Sequence, residues 1–100
     1  FDSGEVVDNI CENSTAQGIL LLGASHNRIA GNTIRNWSLK FSGIQTASLL
    51  ASDGVPAVQH PPIFSNYNII TENYIYPSGK NQALIVDGGS RNQTIGNHIN

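Results

Sequence analysis

The sequence predicts an all-β chain of stacked coils, each made of short strands that pair in parallel with the coils above and below. Three observations carry this reading. A phrase recurs as Asn27-Arg-Ile-Ala-Gly-Asn-Thr-Ile34, Asn68-Ile-Ile-Thr-Glu-Asn-Tyr-Ile75 and Asn92-Gln-Thr-Ile-Gly-Asn-His-Ile99, with a degenerate copy over Glu5 to Glu12. Aligning the copies puts Asn9, Asn32, Asn73 and Asn97 in one column, at spacings of 23, 41 and 24 residues. Val6, Ile29, Ile70 and Thr94 form a second column, and Cys11, Ile34, Ile75 and Ile99 a third. Repeats at 20 to 50 residues mark stacked architectures. The composition agrees: twelve Asn and 10 Gly against 12% charged residues favour turns and extended structure over helix.

Each coil has a second half, a short apolar strand. The copies are Gly18-Ile-Leu-Leu-Leu22, Gly43-Ile-Gln-Thr-Ala47 and Ala83-Leu-Ile-Val-Asp87, with Ile19, Ile44 and Leu84 aligned as inward residues. Their neighbours Leu20, Gln45, Ile85 and Leu22, Ala47, Asp87 are then expected to point outward. Within the phrase, Ile29 and Ile34 stand five apart, which in one continuous strand would send them to opposite faces. Both read as core, so the chain must bend at Ala30-Gly31-Asn32, with Asn tolerating a left-handed conformation. Three short strands per coil follow. At the usual strand spacing of about 4.8 Å, the column Asn9, Asn32, Asn73 and Asn97 becomes a ladder of amides.

The spacing of 41 equals one coil plus an insertion, assigned to Ser48–Phe64, which holds three of the 4 prolines. Prolines leave central strands, and loops of this length are usually functional or disordered. The chain reads as one segment, residues 1–100, of about 3.5 coils of 23–25 residues each. The coils span 1–23, 24–47, 65–88 and a partial 89–100. Because repeats run to both ends, the segment is expected to belong to a longer stack.

Bulk properties exclude several classes. The net charge of -2 gives no footprint for nucleic acid. The longest apolar run, Ile19 to Leu22, falls far short of the ~18 residues of a membrane span. The single cysteine, Cys11, shares a column with isoleucines and reads as a buried thiol. His26 and His98 lack a second ligand at metal spacing, so neither metal nor cofactor is expected.

The recurrent Asn-x-Ile-x-x-Asn-x-Ile followed by a Gly-Ile strand resembles the right-handed parallel β-helix repeat of the pectin-lyase-like superfamily. The resemblance covers nearly the whole chain apart from Ser48–Phe64. It implies an extracellular or cell-surface, carbohydrate-active protein, with the Gly-Ile strand lining a sugar groove. The catalytic phrases of polygalacturonases and alginate epimerases are absent; His60-Pro61-Pro62 approaches the latter but lacks the acid. No catalytic residue is therefore carried over.

The residues themselves supply candidates. Asp87, Asp53, His60 and Lys80 could furnish the carboxylates, base and cation of a polysaccharide lyase, hydrolase or epimerase. Gln45, Tyr74, Tyr76 and Arg91 could bind the polysaccharide, the tyrosines by offering ring faces to sugars. The competing reading makes Asp87-Gly88-Gly89 a turn and Lys80 and Arg91 solvated charges. It gives a non-catalytic structural solenoid whose apolar outward face (Leu20, Leu22, Ile85) and strand edges meet further coils of the same or another chain. Three strings fit the N-glycosylation sequon, at Asn13, Asn36 and Asn92.

Overall fold

The computed structural model describes residues 2–47, 63–79, 82 and 84–99. Among them every regular element is a β-strand. The strands are β1 (Glu5–Val7), β2 (Ile10–Glu12), β3 (Ile19–Leu22), β4 (Arg28–Ala30), β5 (Thr33–Arg35), β6 (Ile44–Ala47), β7 (Ile69–Thr71), β8 (Tyr74–Tyr76), β9 (Ile85–Asp87), β10 (Gln93–Ile95) and β11 (His98–Ile99). They form three sheets, ordered β1-β4-β7-β10, β2-β5-β8-β11 and β3-β6-β9. Every pairing is parallel. Successive strands belong to successive sheets, so the chain visits the three sheets in turn and pairs with itself one circuit later. The insertion assigned to 48–64 lies outside the described residues except for Ile63 and Phe64.

The registers reproduce two of the sequence columns. Val6 pairs with Ile29, Ile29 with Ile70 and Ile70 with Thr94. Cys11 pairs with Ile34, Ile34 with Ile75 and Ile75 with Ile99. The third sheet differs from expectation by one residue, because Ile44 pairs with Ile85 rather than with Leu84. Leu84 instead takes the place of Gly18 and Gly43: its carbonyl accepts the Ile44 N–H at 3.0 Å, as the Gly43 carbonyl accepts that of Ile19 at 2.9 Å. Ile85 is therefore an inward residue packed on the core, Val86 lies opposite Gln45 on the outer face, and Asp87 lies opposite Thr46 in the inner column. A uniform offset of 41 residues across the insertion, already visible at Asn32 and Asn73, points to Ile85.

The core is the line of inward side chains. Ile29, Ile34, Ile44, Ile70 and Ile75 are fully buried, with Leu21, Ala24 and Trp37 nearly so. Their β-branching suits short strands whose pleat sends one residue in and the next out. Trp37 closes the corner between the second and third sheets. Its indole N–H donates to the Phe41 carbonyl at 3.0 Å, and Gln82 Nε2 donates to the Trp37 carbonyl at 3.0 Å.

Bends between strands are left-handed and recur in register. Asp8, Gly31, Glu72 and Gly96 occupy φ from 54° to 69° between the first and second sheets. Ser3, His26, Tyr67 and Arg91 do the same, at 56° to 60°, ahead of the first sheet. The bend expected at Ala30-Gly31-Asn32 is present, but Gly31 takes the left-handed position. Asn32 is left free to turn its amide inward.

That amide is one rung of a continuous chain. The backbone N–H and Nδ2 of Asn9 donate to Asn32 Oδ1, those of Asn32 to Asn73 Oδ1 and those of Asn73 to Asn97 Oδ1, at 2.9 to 3.0 Å. A second chain runs through the first asparagine of the phrase. Gly4 N–H donates to Asn27 Oδ1, Asn27 N–H to Asn68 Oδ1 and Asn68 N–H to Asn92 Oδ1, at 2.7 to 2.9 Å. Buried backbone donors at the bends have no strand partner, and these side chains satisfy them.

Candidate functional site

Asp53, His60 and Lys80 lie outside the described residues. The other sequence candidates fall on different sheets and corners instead of lining one groove. Gln45, on β6, accepts at Oε1 a 2.7 Å hydrogen bond from Gln17 Nε2. Tyr74 and Tyr76 bracket Ile75 on β8, and Arg91 belongs to the left-handed corner before β10.

Asp87 falls in the column of Thr46, one residue off the expected register, and at the end of β9 it stays exposed. Its Oδ1 accepts hydrogen bonds from Thr46 Oγ1 and Asn92 Nδ2, both at 2.7 Å, and from Gly89 N–H at 3.0 Å. Partial burial pushes the carboxyl up, but these three donors outweigh it and hold the group below its ordinary value. An ionised carboxylate used this way clips the turn after β9 to the inner column. It is poorly suited to donate a proton to a leaving group. Burial pushes the Cys11 thiol above its usual 9.0, which keeps it protonated and weakly nucleophilic near neutrality.

Each tyrosine has one ring face covered, and both line an open recess of about 520 Å³ with Asn97, His98 and Ile99. Tyr74 stacks on His98, with centroids 4.7 Å apart and planes at 11°, and the Arg35 guanidinium lies 5.2 Å over the Tyr76 ring. The physical reason is the register: parallel pairing places outward residues of successive circuits directly over one another, so their side chains stack along the axis.

The same rule builds a corner that the sequence reading passed over. In the left-handed column Ser3, His26, Tyr67 and Arg91, the His26 and Tyr67 rings stack at 5.0 Å and 5°. Arg91 lies 5.6 Å over Tyr67 and donates from Nη1 to its hydroxyl at 2.7 Å. Ser3 is too small to continue the pile. A cleft of about 330 Å³ opens there, lined by Ser3, Glu5, His26, Arg28, Tyr67 and Ile69 with Gly4 and Asn27. It spans three circuits. The ring column makes one wall, and the outward residues of the first sheet (Glu5, Arg28, Ile69) make the other. A hydroxyl, an imidazole, a carboxylate and a guanidinium converge there, a set that matches hydroxylated or carboxylated rings. The available signal was the shared offset of His26, Tyr67 and Arg91 ahead of each phrase.

A second recess, of about 450 Å³, is apolar and lined by Val6, Ile19, Leu20, Leu21, Leu22 and Ala24. Among the described residues no group of three His, Cys, Asp or Glu side chains is placed to hold a metal ion. Comparison with family models, with curated proteins and with solved structures gives no match for this chain.

Proposed function

We infer that the chain is a segment of a right-handed parallel β-helix of the pectin-lyase-like kind, extracellular or on a cell surface, that binds a polysaccharide without cleaving it. The observation that carries this is the cleft beside the His26–Tyr67–Arg91 pile. It crosses three circuits, so it follows the stacking axis as a polymer site must, and its polar groups repeat at the strand spacing. The binding reading is preferred to a lyase, hydrolase or epimerase because the Asp87 carboxylate is committed to Thr46, Asn92 and Gly89.

The test is a panel of acidic and neutral polysaccharides, run by affinity electrophoresis alongside assays for unsaturated products and new reducing ends. Retardation by at least one polymer is expected, with no turnover. Tyr67→Ala and Arg28→Ala should each weaken it roughly tenfold, about 1.4 kcal/mol. Turnover that depends on Asp87 would restore the enzymatic reading, and no retardation by any polymer would end the binding one.

A second reading, a structural β-solenoid that assembles with further coils, rests on one observation. Leu20 and Leu22 are 46% and 50% exposed beside the apolar recess, on the outer face of β3.

A further inference from the structure

We propose that Asn13 is an N-glycan acceptor and that it is the one sequon of the three whose modification the fold accepts. The proposal rests on the extracellular placement inferred above, and beyond that on what each amide does in the structure.

An N-glycan replaces one of the two hydrogens of an asparagine Nδ2, and it is added to sequons (Asn-x-Ser/Thr) that face solvent. The fold must then tolerate a side chain with one donor fewer and a sugar ring in its place. Asn92 fails on both counts. Its Nδ2 uses both hydrogens, one to the Ser65 carbonyl at 2.8 Å and one to Asp87 Oδ1 at 2.7 Å. Its Oδ1 is the rung that receives the Asn68 N–H at 2.7 Å. A sugar there would have to leave through the ladder, so a chain glycosylated at Asn92 cannot close its last circuit.

Asn36 and Asn13 occupy the same corner column, 23 residues apart, both exposed and both left-handed at φ 51° and 59°. They are not equivalent. Asn36 Nδ2 donates to Asn13 Oδ1 at 2.7 Å, and the next residue, Trp37, is locked in the core at 2% exposure. Asn13 contributes only its oxygen to this pair; among the described residues its Nδ2 has no hydrogen-bond partner. Asn13 and its sequon residues Ser14 and Thr15 line an open recess of about 540 Å³, which Asn36, Trp37, Ser38, Leu39, Ser78 and Gly79 also border. Among the described residues its lining carries no charged side chain and is rich in hydroxyls, with Leu39 70% exposed at its edge. A first N-acetylhexosamine on Asn13 would find hydroxyl partners and an apolar contact for its acetyl methyl. With Asn13 occupied, a second glycan one strand spacing away, about 4.8 Å, would have to share the same space. The folded chain therefore carries one glycan.

The test is secretion of the chain from a glycosylating eukaryotic host, with intact mass and peptide mapping before and after peptide N-glycosidase. One glycan at Asn13 is expected, lost in both Asn13→Gln and Thr15→Ala. Asn36→Gln should leave occupancy unchanged, which separates a site effect from a general folding failure. Secreted, folded protein with Asn92 occupied, with both Asn13 and Asn36 occupied, or with Asn13 bare would each overturn the assignment. Polysaccharide retardation measured on unglycosylated bacterial protein reports on the binding cleft alone, so the two readings fail separately.

Discussion

Asn73 does four things at once with no exposed surface. Its Oδ1 receives the backbone N–H and Nδ2 of Asn32, and its Nδ2 donates to the Ile29 carbonyl and to Asn97 Oδ1. Truncating it strands a buried N–H and a buried carbonyl, at about 1–3 kcal/mol for each unsatisfied group. Asn73→Ala should thus lower stability by about 3 kcal/mol, read as a fall in urea midpoint with unchanged m-value. Asn97→Ala, at the more open last rung, should cost about 1 kcal/mol. Equal losses at the two positions would contradict a ladder whose strength comes from burial. Asp87 belongs to the same scale. Its sequence context suggests chemistry, yet its carboxylate serves as an anchor because a one-residue shift in register sets it opposite Thr46.

At the scale of the element, the close approach of circuits at the start of the third sheet is met by two glycines. Gly18 and Gly43 immediately precede β3 and β6, where carbonyl oxygens of the next circuit approach to accept strand hydrogen bonds. A Cβ on Gly43 would stand 2.9 Å from the Leu84 carbonyl oxygen and 3.3 Å from the Trp37 ring; one on Gly18 would press on the Ile34 side chain. Gly43→Ala should cost about 1–3 kcal/mol by overpacking. In a domain of this size that lowers Tm by several degrees, about 4–8 °C per kcal/mol. A melt within one degree of the parent would show that the neighbouring circuit yields easily. The strands themselves were legible because β-branched residues, bounded by Gly and Asn, recur at fixed spacing. The offset in the third sheet was not, because an apolar run such as Ala83-Leu-Ile-Val carries no internal mark of which residue points in.

At the scale of the molecule, two surfaces compete to explain the protein. One is the polar cleft beside the His26–Tyr67–Arg91 pile; the other is the apolar face of β3 around Leu20 and Leu22. They lie on different sheets, so they can be tested independently. Leu20→Asp with Leu22→Asp should leave polysaccharide retardation intact. If the β3 face mediates assembly, the same pair of changes should abolish any concentration-dependent increase in sedimentation coefficient. A double variant that loses sugar binding while keeping its fold would mean that the two surfaces act as one.

The sequence by itself determined the all-β class, the repeat and the inward columns through Ile29, Ile34, Ile70 and Ile75. Those properties are local and periodic, and hydrophobic spacing encodes them directly. It also carried both asparagine columns, that of Asn9, Asn32, Asn73 and Asn97 and that of Asn27, Asn68 and Asn92, at the same spacings. Tertiary structure alone decided which outward side chains meet. Parallel register stacked His26 on Tyr67 and Tyr74 on His98, covered one face of each of these rings and opened a cleft where Ser3 left the pile unfinished. Side chains 23 to 41 residues apart become neighbours only when the backbone ladder closes, and no pattern within a single repeat specifies what they will do together.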